Sequence, residues 1–277
     1  MFNQITILGP GLLGASLALV MKESALCQRV HAWSRRAETR DRALQTSWCD
    51  AVFDDAAKAC LESDLVVICT PVETIVPLLK QVASTLHPDT LVTDVGSTKS
   101  RICNEARSID AHFIGSHPMA GSERTGMKHA RADLFEAAAC ILTPLESADR
   151  ERTERLRKLW ERIGMRVVTL APEEHDEVVA HISHLPHLVA SSLCNYLSTK
   201  PSAWKQLAGG GLRDTTRVAA GDPTLWQQIL EQNRDEVLHA IEGFQKELDS
   251  FKAILKEKNT AALTAHLKKG KEFRETL

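Results

Sequence analysis

At 277 residues, 43% apolar and 25% charged, the chain carries enough apolar side chains for one large core or two modest ones, and ordinary domain sizes favour two. Its 34 basic and 36 acidic residues leave a net charge of −2 spread along the chain. No basic stripe marks a nucleic-acid or membrane surface, and small soluble ligands are the expected partners. Seven cysteines, an odd number without CxxC spacing and several inside apolar stretches, point to reduced, buried thiols and a cytoplasmic protein. The first residues lack the basic flank and apolar core of a signal peptide, and no apolar run reaches the ~18 residues of a membrane span.

In chain order, β-rich apolar runs at 5–8, 30–33, 65–69, 91–95, 112–115, 140–143 and 166–170 alternate with helical stretches. Several are apolar throughout, as strands covered on both faces should be. The expectation is an α/β Rossmann domain over 1–171, a doubly wound parallel sheet with ligands beyond the carboxyl ends of its strands. After Pro172 the strand pattern stops, and helical stretches broken by Lys200-Pro201, Gly209-Gly210-Gly211 and Gly221-Asp222-Pro223 predict an all-α domain over 172–277. There Leu230, Val237, Leu238, Ile241, Phe244, Leu248, Phe251 and Leu255 give more apolar face than one short helix needs. That surplus predicts a homodimer interface, with an intrachain bundle as the alternative.

Gly9-Pro10-Gly11-Leu12-Leu13-Gly14 follows the first strand and opens an apolar helix, the context that turns GxGxxG into a dinucleotide site. Gly9 permits the turn, Gly11 the approach of a pyrophosphate, and Gly14 close helix packing; the N–H groups at the helix start complete the site. The second strand ends in Ser34-Arg35-Arg36, where an NAD enzyme usually carries an acidic residue. A hydroxyl and two guanidinium groups suit a 2′-phosphate, so NADP is expected over NAD. The bland alternative is that the arginines begin a solvated helix. Thr70 and Pro71 stop the strand at 65–69 where a nicotinamide ribose often lies.

Two segments should then meet on the ligand edge: Val95-Gly96-Ser97-Thr98-Lys99, and Gly115-Ser116-His117-Pro118-Met119-Ala120-Gly121-Ser122-Glu123. A histidine there is placed for proton transfer, although His-Pro in a turn is as often structural. Downstream, His175-Asp176 and Ile182-Ser183-His184-Leu185-Pro186-His187 fall in one helical stretch. On a straight helix His181, His184 and His187 share a broad face, while His175 lies about 180° from His184, so only one of those two should face the cleft. Pro186 predicts a kink beside His184. A metal site is disfavoured because no carboxylate or cysteine joins that histidine face. Arg213 and Arg217, four apart after the glycine turn, suit a substrate carboxylate; a salt-bridged surface turn is the alternative.

Through GPGLLG, VTDVGSTKS, GSHPMAGSE, the HD…ISHLPH helix and GGGLRDTTRVA, taken in order over nearly the whole chain, the sequence resembles the prephenate/arogenate dehydrogenase family of tyrosine biosynthesis. The resemblance implies a Rossmann domain plus a helical dimerisation domain, and oxidative decarboxylation of a cyclohexadienol. It makes His117 the catalytic histidine, Ser97 a hydroxyl that positions it and the nicotinamide, and Arg217 the ligand of the substrate carboxylate. Arg213 and His184 would line the same cleft, His175 less securely because of its helix face, with Ser122 and Glu123 near His117. Arogenate is expected over prephenate, because NADP preference and an acidic Glu123 suit an amino-acid side chain; an enzyme taking both is the near alternative. Rival readings are a β-hydroxyacid dehydrogenase, which typically carries a lysine in the helical domain that 178–193 lacks, and a non-catalytic NADP-binding dimer.

Overall fold

The computed structural model describes residues 1–277 except Asp110, Glu123 and Ser147. Five parallel strands form the first sheet: β1 (Phe2–Leu8), β2 (Cys27–Trp33), β3 (Ala51–Phe53), β4 (Leu65–Ile68) and β5 (Leu91–Asp94), in the order β3-β2-β1-β4-β5. Helices α1 (Leu12–Glu23), α2 (Ala37–Leu44), α3 (Ala56–Cys60), α4 (Val72–Val82) and α5 (Ser100–Ala106) connect or follow them. All four residues of β4 are fully buried. Alternate residues serve opposite faces: Ile7 and Val67 pack with Leu17 and Met21 of α1, while Leu8, Val66 and Ile68 pack with Ile75 and Leu79 of α4. Burial on both faces is why these runs read as continuously apolar.

The edge strand β3 was absent from the expected set: it is three residues long, half-buried, and flanked by acidic residues, so no pattern announces it. Beyond β5 the parallel order ends. The strand expected at 112–115 lies instead at β6 (Gly115–Pro118), and only Phe113 bridges back to Val92. β6 pairs antiparallel with β7 (Ala139–Thr143), which pairs in parallel with β8 (Arg166–Thr169) behind α6 (Arg150–Arg162). The five-stranded sheet is parallel as expected, a second sheet of three strands is mixed, and His117 sits within a strand of that second sheet, opposite Ile141, instead of in a loop after one.

The remainder is helical: α7 (Pro172–Val179), α8 (Leu185–Ser198), α9 (Gly210–Thr216), α10 (Pro223–Gln232), α11 (Arg234–Lys256) and α12 (Thr260–Arg274). Asp222 caps α10 through Thr224 and Leu225 N–H, and Pro223 opens it, as the Gly-Asp-Pro break suggested. Between α7 and α8 a π turn spans Ala180–His184, directly before Pro186. Of the apolar surplus, Val237 is buried and Leu230 and Ile241 pack against it, whereas Leu238, Leu248 and Leu255 are exposed, with Tyr196, Leu267 and Phe273. All seven cysteines are free; four are buried, but Cys194 is exposed, contrary to the buried expectation. No helix among the described residues is long and apolar enough to cross a membrane.

Candidate active site

At the end of β1, Gly9 takes φ +97, and a Cβ there would lie 2.7 Å from Thr70 Cγ2. Gly14 lets α1 press on β1, since a Cβ would stand 2.7 Å from the Gly9 carbonyl oxygen and 2.8 Å from Ile7 Cγ2. A Cβ on Gly11 would meet nothing, so this stretch of backbone borders open space. Leu12 and Leu13 begin α1, whose first turn carries neither an acidic residue nor a side-chain cap. Across the gap Thr70 Oγ1 is buried without a hydrogen-bond partner among the described residues, and Pro71 precedes α4. Open glycine backbone, uncapped helix N–H groups and an orphaned hydroxyl fit the pyrophosphate and ribose of a dinucleotide. After β2, Ser34 Oγ accepts from Arg36 N–H at 3.2 Å, and Arg35 and Arg36 are exposed. Arg40, which sequence reading passed over, secures this turn by donating to the Ser34 and Arg35 carbonyls at 2.7 and 3.1 Å.

The loop after β5 is built on a buried ion pair. Lys99 Nζ donates to Asp94 Oδ2 at 2.7 Å, Gly96 O at 2.7 Å and Thr98 O at 3.1 Å, which satisfies all three of its protons. Asp94 in turn accepts from Gly96 N–H at 2.8 Å and Ser116 N–H at 3.1 Å, tying the loop to β6. The Ser116 hydroxyl meets Thr93 Oγ1 at 2.7 Å and Trp160 Nε1 at 3.1 Å on the core side. Side chains alternate along a strand, so His117 projects the other way, towards α7.

There His117 Nδ1 lies 2.8 Å from His175 Nε2, and His175 Nδ1 lies 2.7 Å from Asp176 Oδ1. The Asp176 carboxylate also accepts from Lys99 N–H at 2.8 Å and Ser100 N–H at 2.9 Å, capping α5 from the helical half of the molecule. Burial alone would push the Asp176 carboxyl up; His175, then Ser100, hold it below the usual carboxylate range. Burial, then the neighbouring His175, Lys99 and His184, pull His117 well below 6.5, and burial likewise lowers His175 against the opposing pull of Asp176. The three rings form a neutral cluster beside a buried cation.

His184 is 0% exposed and accepts from Asn233 Nδ2 at 3.1 Å, and the same amide donates to the Asp176 carbonyl at 2.8 Å. Burial brings its pKa down to about 4. The expectation that only one of His175 and His184 can face the cleft is thus corrected. The π turn between them advances fewer degrees per residue than an α turn, and it rotates His184 onto the side of His175. It also separates His181, which is exposed, from His184 and His187, which are buried. His187 stacks on Trp226 with ring centres 3.5 Å apart.

Arg213 and Arg217 are both exposed; α9 stops at Thr216 and a 3-10 turn begins at Arg217, so they do not share one regular helix face. That turn packs against α8. Ser97 is half-buried beside His184, and Ser122 is exposed, its Oγ accepting from Arg124 N–H. Glu123 lies outside the described residues.

The model of the prephenate dehydrogenase nucleotide-binding domain matches residues 17–169, and that of the prephenate dehydrogenase dimerization domain matches residues 171–269. The chain belongs to the prephenate dehydrogenase family. Prephenate dehydrogenase of Bacillus subtilis is 34% identical over 284 residues, covering 100% of this chain and 76% of that protein. Cyclohexadienyl dehydrogenase of Zymomonas mobilis is 32% identical, covering 100% of this chain and 96% of its own length. The structure of Aquifex aeolicus prephenate dehydrogenase with hydroxyphenyl propionate and NAD+ superposes with a TM-score of 0.93 at 31% identity, covering 100% of this chain and 98% of that one.

In this prephenate dehydrogenase-type oxidoreductase, sequence reading left Asp176, Lys99, His187, Trp226 and Asn233 without roles. Asp176 and Lys99 lay inside quoted motifs, but their polar neighbours, Glu173, Glu174 and Glu177 around one and Thr98, Ser100 and Arg101 around the other, gave no sign that either is buried. Nothing along the chain links Asn233 to Asp176, 57 positions away.

Proposed function

We propose that this chain catalyses the NADP-dependent oxidative decarboxylation of L-arogenate to L-tyrosine and CO2, with His117 as general base. The observation that carries the reading is the chain His117, His175, Asp176. An ionised Asp176 only accepts, so the His175 proton is on Nδ1 and its Nε2 accepts. His117 must then donate from Nδ1, which leaves its Nε2 lone pair free for a substrate hydroxyl. A bound nicotinamide supplies the hydride acceptor. As hydride leaves the carbinol carbon, His117 Nε2 takes the hydroxyl proton. The bond to the ring carboxylate then breaks, CO2 departs, and its electron pair completes an aromatic ring whose oxygen recovers the proton from His117. General-base help of about 10²–10⁴-fold amounts to roughly 3–5 kcal/mol of barrier.

Gly9, Gly11, Leu12, Leu13, Gly14, Thr70 and Pro71 hold the dinucleotide within 1–171, and Ser34, Arg35 and Arg36 take the 2′-phosphate. Ser97 orients His117 and the nicotinamide. Arg217, with Arg213, binds a carboxylate of the substrate, and His175, His184, Ser122 and Glu123 complete the cleft. The helical half, 172–277, pairs two copies of the chain through its exposed Leu238, Leu248 and Leu255. Prephenate is the second reading, favoured by the names of the Bacillus and Aquifex relatives, and the Zymomonas relative's name favours an enzyme taking both. The Aquifex complex holds NAD+, which makes NAD the competing cofactor.

An absorbance assay of reduced nicotinamide with arogenate and prephenate, each crossed with NADP and NAD, tests the whole proposal. Fastest turnover is expected for arogenate with NADP. Turnover of neither acid with either cofactor would sink it.

A further inference from the structure

The inference rests on the dehydrogenase reading of this cleft and concerns its second fully buried histidine. His184 Nε2 is enclosed with no hydrogen bond of ordinary geometry among the described residues; the Ser97 backbone lies beside the ring and favours its protonated form, against the larger effect of burial. A buried polar atom left in that state is costly unless something else meets it.

Asn233 decides where the proton sits on this ring. The Asp176 carbonyl oxygen can only accept, so the Asn233 side chain presents its NH2 group, and not its oxygen, on that side. The second hydrogen of the same NH2 group points at His184 Nδ1, which therefore accepts. Nε2 is left as the N–H. Asp176 thus governs one ring through its carboxylate and His175, and holds through its carbonyl the amide that governs the other. His117 and His184 consequently carry opposite tautomers in one cluster.

We propose that His184 is a neutral hydrogen-bond donor to an acceptor oxygen of the molecules bound in this cleft, and that Asn233 is the positioning residue that makes it so. Two sources offer that chemistry: the oxygens of the acid substrate and the carboxamide oxygen of the nicotinamide. Burial holds the ring's pKa near 4, so donation does not require a charged ring.

Long-range proton–nitrogen correlation spectra of the ¹⁵N-labelled full chain read the tautomer directly, with His184 assigned by the signal lost in His184→Gln. The expected result is a proton on Nε2 of His184 in the wild-type protein; a proton on Nδ1 overturns the proposal. This readout needs no turnover, so failure of the dehydrogenase reading would show separately, as no rate with either acid.

The second arm compares His184→Gln, which keeps a donor, with His184→Phe, which removes it. His184→Phe should raise either the KM of the acid or the Kd of the oxidised dinucleotide, titrated without substrate, by at least ~10-fold. A rise in the first assigns the acceptor to the substrate, and a rise in the second assigns it to the cofactor. His184→Gln should stay within ~3-fold in both. If neither quantity moves in His184→Phe, the donor role is wrong.

Discussion

The dinucleotide loop follows β1 and the histidine cluster gathers around β6, and different interactions hold the two in place. The loop is local: Gly9, Gly11 and Gly14 act within six positions, through backbone conformation and the absence of a Cβ. The cluster is assembled over distance, His117 meeting His175 across 58 positions and Lys99 meeting Asp176 across 77. A local motif tolerates rearrangement elsewhere in the molecule. A cluster of buried polar groups does not, because each member satisfies the next and a missing partner leaves a desolvated atom behind.

The largest expected effect probes that dependence. Lys99→Met strips the cation from a fully buried Asp94, and urea unfolding should show a loss of about 3–5 kcal/mol. A loss below ~1 kcal/mol would mean that the pair does not hold the loop. His117→Asn should keep the fold and dinucleotide binding while lowering kcat by at least ~100-fold; near-normal turnover would remove the base from the mechanism.

Acid pH should weaken the same cluster. His117, His175, His184 and His187 are all held below 6.5 in the folded chain, so below that pH the unfolded chain binds more protons. Stability should be level above pH 6.5 and fall as pH drops beneath it, His184 alone accounting for about 3 kcal/mol by pH 4. Activity follows the same sign, since the base works only when neutral. Its acid limb in kcat/KM should lie well below 6.5, and a limb at 6.5 or above would show that His117 is not desolvated.

The loop should give smaller, separable effects. Gly14→Ala drives a Cβ into the Gly9 carbonyl and should cost about 1–3 kcal/mol of stability. Gly11→Ala meets no protein atom, so stability should hold within about 0.5 kcal/mol while dinucleotide affinity falls by roughly 10-fold. Equal losses of stability in the two variants would blur the distinction. Smallest is Arg35→Ala, expected to weaken NADP by roughly 10-fold and to leave NAD unchanged. Equal effects on both cofactors would place Arg35 away from the 2′-phosphate.

The fold was legible where one physical cause acts over a few residues. Apolar runs marked β1, β4 and β5 because those strands are covered almost throughout, β2 showed through its buried end at 30–33 although Gln28 and Arg29 are exposed, and Gly-Asp-Pro marked the start of α10 through its own caps. β3 was hidden because a three-residue edge strand has no period to detect. The shift of β6 was hidden for another reason: its position is set by Asp94, Thr93 and Trp160, all distant in the chain. The straight-helix argument about His175 and His184 failed at one local feature, a π turn whose extra residue per turn no side-chain pattern displayed.

By itself, the sequence determined the architecture, the dinucleotide loop and the family, because glycine spacing, apolar period and ordered motifs are properties of short segments. Only the tertiary structure decided which histidines meet and what each ring can do. A tautomer is fixed by whichever group the other nitrogen touches. In this chain those groups are Asp176 and Asn233, brought into contact by packing within the helical half, and His117 joins them from the strand-bearing half.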